Sequence, residues 1–320
     1  MKSFIYALFT VALFTAAVCS AAEESDFTGD IGVGVMFIDS ANNLNPGSSK
    51  KIISNLDNGA DRELTTVPII LPALAYYPDK NKPFHYTLTS RPPIEESGAF
   101  ALSVGAATVF DQIADIKVAL FAAPFGEVWK NPYLTNAPRD ETDSRKYGTY
   151  LALDNILATR FRGSLIYYHT DVDDDLIGEI TPELERDGNV VTANLGYAFD
   201  ILPTFSLIPA LSYSLGDHEG EAYSYSSYGV KLGGRYFSGK IALFPEISYK
   251  YTEYDAIHPI FQETRDENKV SFNVLLQYAA PFDMENFVFS AIAGYSLGDS
   301  GIDFYDTESI RFGLSLVYRF

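Results

Sequence analysis

Two histidines stand beside carboxylates in this chain. His169 lies two residues before Asp171, and His218 directly follows Asp217. A histidine held by a carboxylate is the working pair of a general base, although adjacency in sequence does not make one. No Gly-x-Ser-x-Gly elbow, His-Glu-x-x-His helix or phosphate-cradling loop accompanies them, so no catalytic residue and no cofactor is assigned. Asp171, Asp173 and Asp175 have the spacing that opens a calcium-binding EF-hand loop, but position six would be Leu176 instead of Gly and position twelve Pro182 instead of Glu. That motif fails, and the acidic run reads as a solvated loop. Cys19 is the single cysteine and lies in the leader segment, which excludes a disulfide framework or a thiolate zinc site in the remainder.

The residues left to do chemistry are cations spaced among apolar neighbours: Lys117, Arg160, Arg162, Lys231, Arg235, Lys250, Lys269, Arg311 and Arg319. In each case the flanking positions alternate in hydropathy, which is the period of a β-strand with one greasy and one polar face. Such segments are expected at Phe27 to Ile38, Leu64 to Tyr77, Phe84 to Ser90, Ala99 to Phe110, Ile116 to Phe125, Tyr147 to Ile156 and Arg160 to Thr170. The second half adds Val190 to Phe199, Thr204 to Leu215, Ser226 to Phe237, Lys240 to Tyr251, Lys269 to Tyr278, Phe287 to Leu297 and Ser309 to Phe320. The expectation is therefore an all-β, antiparallel up-and-down transmembrane β-barrel of about fourteen strands. One misread hairpin around the third, fourth or sixth strand would leave twelve.

Spacers after even-numbered strands are short, as at Ser238 to Gly239 and Leu157 to Thr159. Those after odd-numbered strands are mostly long, as at Asp39 to Glu63, Gly126 to Lys146, Asp171 to Asn189 and Glu253 to Asn268. Short periplasmic turns and long external loops are the expected asymmetry of an outer-membrane barrel. Aromatic residues gather beside the short turns, at Tyr77, Phe84, Phe199, Phe205, Tyr236, Tyr278 and Phe287. They are expected to form an interfacial girdle, where amphipathic rings settle.

The ends agree with that reading. Lys2, an apolar stretch from Phe4 to Val18 and the small residues Ser20, Ala21 and Ala22 describe a secretory signal peptide over residues 1–22, leaving 23–320 as one barrel domain. A lipoprotein signal at Cys19 is the competing reading, disfavoured by Val18 where a small residue is expected. At the other end Phe312, Leu314, Leu316, Tyr318 and Phe320 share one face of a final strand, the pattern of an outer-membrane assembly signal. The expected location is the cell outer membrane, with lipid bilayer, lipopolysaccharide and the barrel assembly machinery as partners. The formal charge of −19 argues against nucleic acid.

Counting from Phe320 sets the facing of the strands. With Phe312 to Phe320 outward in steps of two, Arg311 and Arg319 turn inward, and the same parity sends the other seven cations to the lumen, against Asp30, Asp154 and Glu246. A Lys or Arg on the lipid face would cost about 2–4 kcal/mol at the midplane, which enforces the choice. The acidity of the chain is a loop property: between Asp171 and Asn189 eight acids stand against Arg186.

Several ordered segments carry a resemblance. Trp129-Lys130-Asn131-Pro132-Tyr133-Leu134, Arg186-Asp187-Gly188, Pro259-Ile260-Phe261 with Thr264-Arg265-Asp266-Glu267, and Gly294-Tyr295 with Asp299 to Asp306 resemble the family called domain of unknown function 2860. The resemblance covers essentially the whole mature chain and implies an outer-membrane barrel of a Gram-negative envelope, with no activity and no functional residues to carry over. The function expected from the residues is a porin-like passive channel for small hydrophilic solutes, with a basic lumen under acidic loops. The alternative is a non-conducting barrel, its lumen plugged by an inward-folded loop, whose loops bind a ligand, a partner or lipopolysaccharide. A barrel-wall hydrolase comes third.

Overall fold

The computed structural model describes residues 26–47, 50–90 and 101–320. The signal segment, Cys19 and the first residues of the expected Ala99 to Phe110 strand lie outside them. Within them the chain forms a closed antiparallel barrel of fourteen strands. These are β1 (Phe27–Ala41), β2 (Arg62–Tyr76), β3 (His85–Thr89), β4 (Leu102–Phe110), β5 (Ala114–Trp129), β6 (Glu141–Ile156) and β7 (Phe161–Val172). β8 (Gly188–Tyr197) breaks at Ala198 and resumes as Phe199–Leu202, both parts pairing with the next strand. The rest are β9 (Phe205–His218), β10 (Tyr225–Ser238), β11 (Ile241–Ile257), β12 (Thr264–Ala279), β13 (Phe287–Ser300) and β14 (Thr307–Arg319).

Each strand pairs with its sequence neighbours, and β14 pairs with β1 from Asp30 opposite Arg319 to Ala41 opposite Glu308. Closure extends one step further: the Gly29 and Phe320 peptides exchange two hydrogen bonds of 3.1 Å. No strand edge is then left at that seam, which is how a barrel avoids the exposed edges of an open sheet. The turns at the end holding the termini are as short as two residues. Gly239 takes φ +57° in the two-residue link between Ser238 and Ile241, a conformation that side-chain-bearing residues resist.

Alternation sorts the side chains. Val104, Leu120, Leu165, Leu211, Val230, Ile247, Phe272 and Phe312 all project outward and are exposed. Rings mark both borders of this band. At the turn end Phe27 packs on Tyr76 at 4.8 Å, Phe161 on Tyr197 at 4.8 Å and Phe287 on Tyr318 at 5.2 Å. At the loop end stand Tyr147, Tyr167, Tyr213, Tyr228, Tyr249 and Tyr295, each exposed. Eight residues separate Phe205 from Tyr213, Tyr228 from Tyr236 and Phe287 from Tyr295. At about 3.3 Å per residue and a tilt of about 40°, that places the two belts about 20 Å apart, close to the apolar height of a spanning barrel.

Most strands run past the loop-end belt, so they are longer than alternation suggested. β5 reaches Trp129, β6 begins at Glu141, β11 ends at Ile257 and β12 begins at Thr264. Beyond the belt the outer face carries ion pairs instead of apolar groups. Arg62 binds Asp39 at 3.1 Å and Glu308 at 2.8 Å, and Arg145 binds Asp171 at 3.4 Å and Asp173 at 2.5 Å. β3 and β4 are short by contrast, with five and nine residues. β3 meets β2 only from Ala73 to Tyr76.

Candidate functional site: a basic lumen beneath a loop cap

The loop end is covered. Residues from six of its loops meet in one buried apolar cluster formed by Tyr133, Ile177, Leu184, Ala222, Ile302, Phe304 and Tyr305, with Leu44, Ile53, Leu56 and Phe261 against it. These loops leave the barrel at points all round its rim, so a shared core places them across the mouth. The loop after β1 travels furthest. It reaches the loop after β5, where Ile53 bridges Thr135 and the Arg139 N–H donates to the Lys51 carbonyl at 2.9 Å.

Trp129 and Arg139 fasten that crossing. The indole is 1% exposed and its Nε1 donates to the Asn43 carbonyl at 3.1 Å. Arg139 stacks over the indole at 4.3 Å and donates to the Asn43 carbonyl at 2.8 Å and the Lys50 carbonyl at 3.1 Å. A buried guanidinium without a carboxylate is tolerated here because carbonyl oxygens and a ring face take the place of water. In the loop after β7, Asp175 accepts from Arg186 Nε at 3.1 Å and Nη2 at 2.6 Å, while Arg186 Nη1 donates to the Trp129 carbonyl at 2.8 Å. The three aspartates of the failed calcium motif therefore diverge, Asp175 to Arg186 and the other two to Arg145.

At the centre of the cap four polar side chains share their hydrogen bonds. The Tyr133 hydroxyl lies 2.7 Å from that of Tyr223, 2.5 Å from that of Tyr305 and 3.1 Å from His258 Nε2, and Tyr305 also reaches Nε2 at 2.8 Å. The Ile260 N–H donates to His258 Nδ1 at 3.2 Å, so Nε2 carries the proton and donates toward the tyrosines. Burial, reinforced by the charge of Arg265, lowers His258 from 6.5 to about 4, and burial pushes both Tyr133 and Tyr305 well above 10. Tyr133, His258 and Tyr305 are neutral at pH 7, as groups of this burial require.

Beneath the cap lies a chamber of about 830 Å³. Lys146, Lys250 and Lys269 line it, with Arg265 and Arg186 toward its roof. Arg265 is sandwiched between the Tyr254 and Tyr305 rings, at 4.3 and 3.6 Å, and is neutralised by Glu267. A second cavity of about 400 Å³ lies toward the turn end, where Arg162 pairs with Asp154 at 2.7 Å and Lys231 with Glu246 at 3.4 Å, beside Arg235. Of the other cations marked in the sequence, Lys117 sits over the Tyr150 ring at 5.6 Å and Arg311 reaches Asn273 at 2.7 Å. Arg319 lies in register with Asp30 near the turn end. Arg160 lies in the turn before β7, bound to Asp200 at the rim.

Sequence reasoning left Lys146 and Arg265 in loops. Both stand on strand extensions above the apolar band, where alternation gives no signal, and the one available clue was the aromatic content around them. The histidines are separated by the fold. His169 is on the outer face, where its Nδ1 meets Asn189 Oδ1 at 3.1 Å and its ring packs on Tyr147 at 5.2 Å. His218 lines the chamber beside the Tyr225 ring, at 6.1 Å. Among the described residues no group of three or more His, Cys, Asp or Glu side chains could hold a metal ion.

The family model described as Protein of unknown function (DUF2860) matches residues 26–319. No curated protein matches the chain. Among solved structures, the COG4313 outer membrane channel from Pseudomonas putida F1 is 12% identical, with a TM-score of 0.49 over 92% of this chain and 96% of that one. A FadL homologue of Pseudomonas aeruginosa is 13% identical, with a TM-score of 0.45 over 91% and 90%. The outer membrane channel DcaP of Acinetobacter baumannii is 9% identical, with a TM-score of 0.43 over 92% and 96%.

Proposed function

The chain belongs to the DUF2860 family, a membership that assigns no activity, and we propose from its own geometry a non-enzymatic outer-membrane barrel that passes small hydrophilic solutes, anions before cations. The observation that carries this reading is the chamber beneath the cap, where the five cations Lys146, Arg186, Lys250, Arg265 and Lys269 outnumber the two acids of the lining, Glu127 and Glu267. Fixed charge of one sign in a narrow aqueous lumen enriches the opposite ion and excludes its own, the logic of charged rings in pores. Lipid chains would meet the apolar band, and lipopolysaccharide headgroups the ion-paired rim formed by Arg62 and Arg145 with their acids. The nine cations named from the sequence are proposed as selectivity groups, and Phe312, Leu314, Leu316, Tyr318 and Phe320 as the segment read by the assembly machinery.

Planar-bilayer recording tests the reading. Under a salt gradient the purified barrel is expected to conduct, with a reversal potential of the sign that reports anion preference. The shared core of the six loops favours a second reading, a non-conducting barrel whose cap binds a ligand. Absence of conductance in the full-length protein would select it over the channel.

A further inference from the structure

The cavity toward the turn end carries an arrangement of charge that a general positive lumen does not require. Arg162 of β7, Gly196 of β8, Ala210 of β9 and Lys231 of β10 are successive cross-strand partners, and all four line it. With strands about 4.8 Å apart, the two cations stand about 14 Å from each other across a floor of one glycine and one methyl group. Each is tied back by an acid on the strand beyond it. Arg162 donates to Asp154 through Nε at 2.9 Å and Nη2 at 2.7 Å, and Lys231 pairs with Glu246 at 3.4 Å.

Arg235 is the third cation of this cavity, four residues along β10 from Lys231 and therefore on the same face. Among the described residues it forms no ion pair and no hydrogen bond. The charges that reach it are those of Arg162 and Asp154, which are bound to each other. Three cations and two acids thus face about 400 Å³ of space, and the charge left over sits on a guanidinium. A guanidinium presents paired N–H donors at the spacing of a carboxylate. The wall beside it is apolar: Ile208 of β9 and Phe244 of β11 line the cavity from the two strands that flank β10. The Phe244 ring is held edge-on against Phe237 at 5.7 Å.

We propose that this cavity binds a small monocarboxylate with an apolar body, of the class of benzoate, with Arg235 holding the carboxylate and Ile208 and Phe244 packing the body. One carboxylate offsets the one remaining positive charge. A dianion would bring a surplus negative charge between Asp154 and Glu246, and a cation would find both acids taken. A neutral solute would displace water from the guanidinium without supplying a charged acceptor. The proposal rests on the basic-lumen reading, which already counts Arg235 among its cations, but its test needs no current.

Isothermal titration of the full-length barrel, folded in nonionic detergent and read against a detergent blank, would use benzoate, acetate, phosphate and benzyl alcohol. Saturable binding of benzoate, about tenfold weaker binding of acetate, and none of phosphate or benzyl alcohol is the expected result. Arg235→Gln is expected to weaken benzoate by about tenfold or more, and Arg235→Lys, which keeps the charge and loses the fork, by about threefold. Phe244→Ala should remove the advantage of benzoate over acetate. Lys82→Gln, in the exposed turn between β2 and β3, is the control for bulk charge and should leave the affinity unchanged. Phosphate bound as tightly as benzoate would overturn the carboxylate assignment, and acetate bound as tightly would overturn the apolar part of the site. Equal binding by benzyl alcohol, no saturable binding, or unchanged affinity in a folded Arg235→Gln barrel would overturn the site itself. A barrel that binds benzoate but carries no current would retain this site and remove the channel, and one that conducts without saturable binding would do the reverse.

Discussion

Arg311 Nη2 donates to Asn273 Oδ1 at 2.7 Å across an intervening strand. The contact is made because Gly294 lies between them in register with both, and a Cβ there would come within 2.7 Å of Arg311 Nε and 2.6 Å of Asn273 Oδ1. The guanidinium thus lies flat along the wall and leaves the lumen beside it open. Gly294→Val is expected to lift Arg311 into the lumen while leaving the lipid-facing positions untouched. Single-channel conductance should fall to about half, with a reversal potential shifted toward anions. Unchanged conductance and selectivity would mean that the position of Arg311 does not set the width of the lumen.

Trp129 and Arg139 should hold the cap without holding the barrel. Replacing a buried tryptophan by alanine costs about 3–5 kcal/mol, and here the loss falls on the crossing of the β1–β2 loop instead of the strand pairing. For Trp129→Ala we expect proteolytic cleavage between residues 50 and 61, a barrel that still resists denaturation as a folded species on gels, and a higher open conductance. Arg139→Lys should do much of the same, because an ammonium cannot reach the Asn43 and Lys50 carbonyls while covering the indole. Loss of the folded barrel itself in both variants would assign the pair to the barrel, not the cap.

The strands could be read from the sequence because a lipid-facing wall forces a period of two: Val270 to Tyr278 and Phe312 to Phe320 carry an apolar or aromatic residue at every second position. Above the bilayer that force is absent. Glu141 to Lys146 and Thr264 to Glu267 are strand in the structure, yet both of their faces are polar, so hydropathy marks them as loop. The cap was illegible for another reason. Tyr133, His258 and Tyr305 come together across separations of 125 and 47 residues, and nothing local specifies that. What the sequence did hold was the odd chemistry of those loops. Trp129, Tyr133, Phe261 and Phe304, which carry the family resemblance, are aromatic where solvated loops would be polar, and all of them belong to the cap.

His258 should make the cap sensitive to acid. Its folded value is about 4, against 6.5 when exposed, so between those values an opened cap binds a proton that the closed cap does not. The sign follows: stability rises with pH wherever the opened form holds more protons. The contribution is complete above about 6.5 and is lost as the pH falls toward 4, by on the order of 3 kcal/mol. Around the imidazole stand Tyr133 and Tyr305, both neutral there, and the Arg265 charge, which opposes protonation. Hydrogen-exchange protection factors of the 258–263 and 301–306 loops, corrected for the intrinsic pH dependence of exchange, should fall between pH 6.5 and 4, and His258→Gln should flatten that dependence. An equal acid response in His258→Gln would place the titrating group elsewhere.

Phe320 contributes to assembly through a different physical route from the one that holds the finished wall. In the closed barrel its N–H and carbonyl exchange hydrogen bonds with Gly29, and its ring stacks on Tyr318 at 6.2 Å. Phe320→Ala keeps the two backbone bonds and loses one interfacial ring, worth about 1–2 kcal/mol against a seam that pairs from Asp30 to Ala41. Refolded in detergent, the variant should therefore melt within a few degrees of the parent. If the terminal aromatic face is what the assembly machinery reads, the same variant expressed in cells should yield severalfold less folded barrel in the outer membrane, with unassembled chain in the periplasm. Equal yields in cells would confine Phe320 to the seam. A large fall in melting temperature in detergent would make any loss in cells a stability effect instead of a recognition effect.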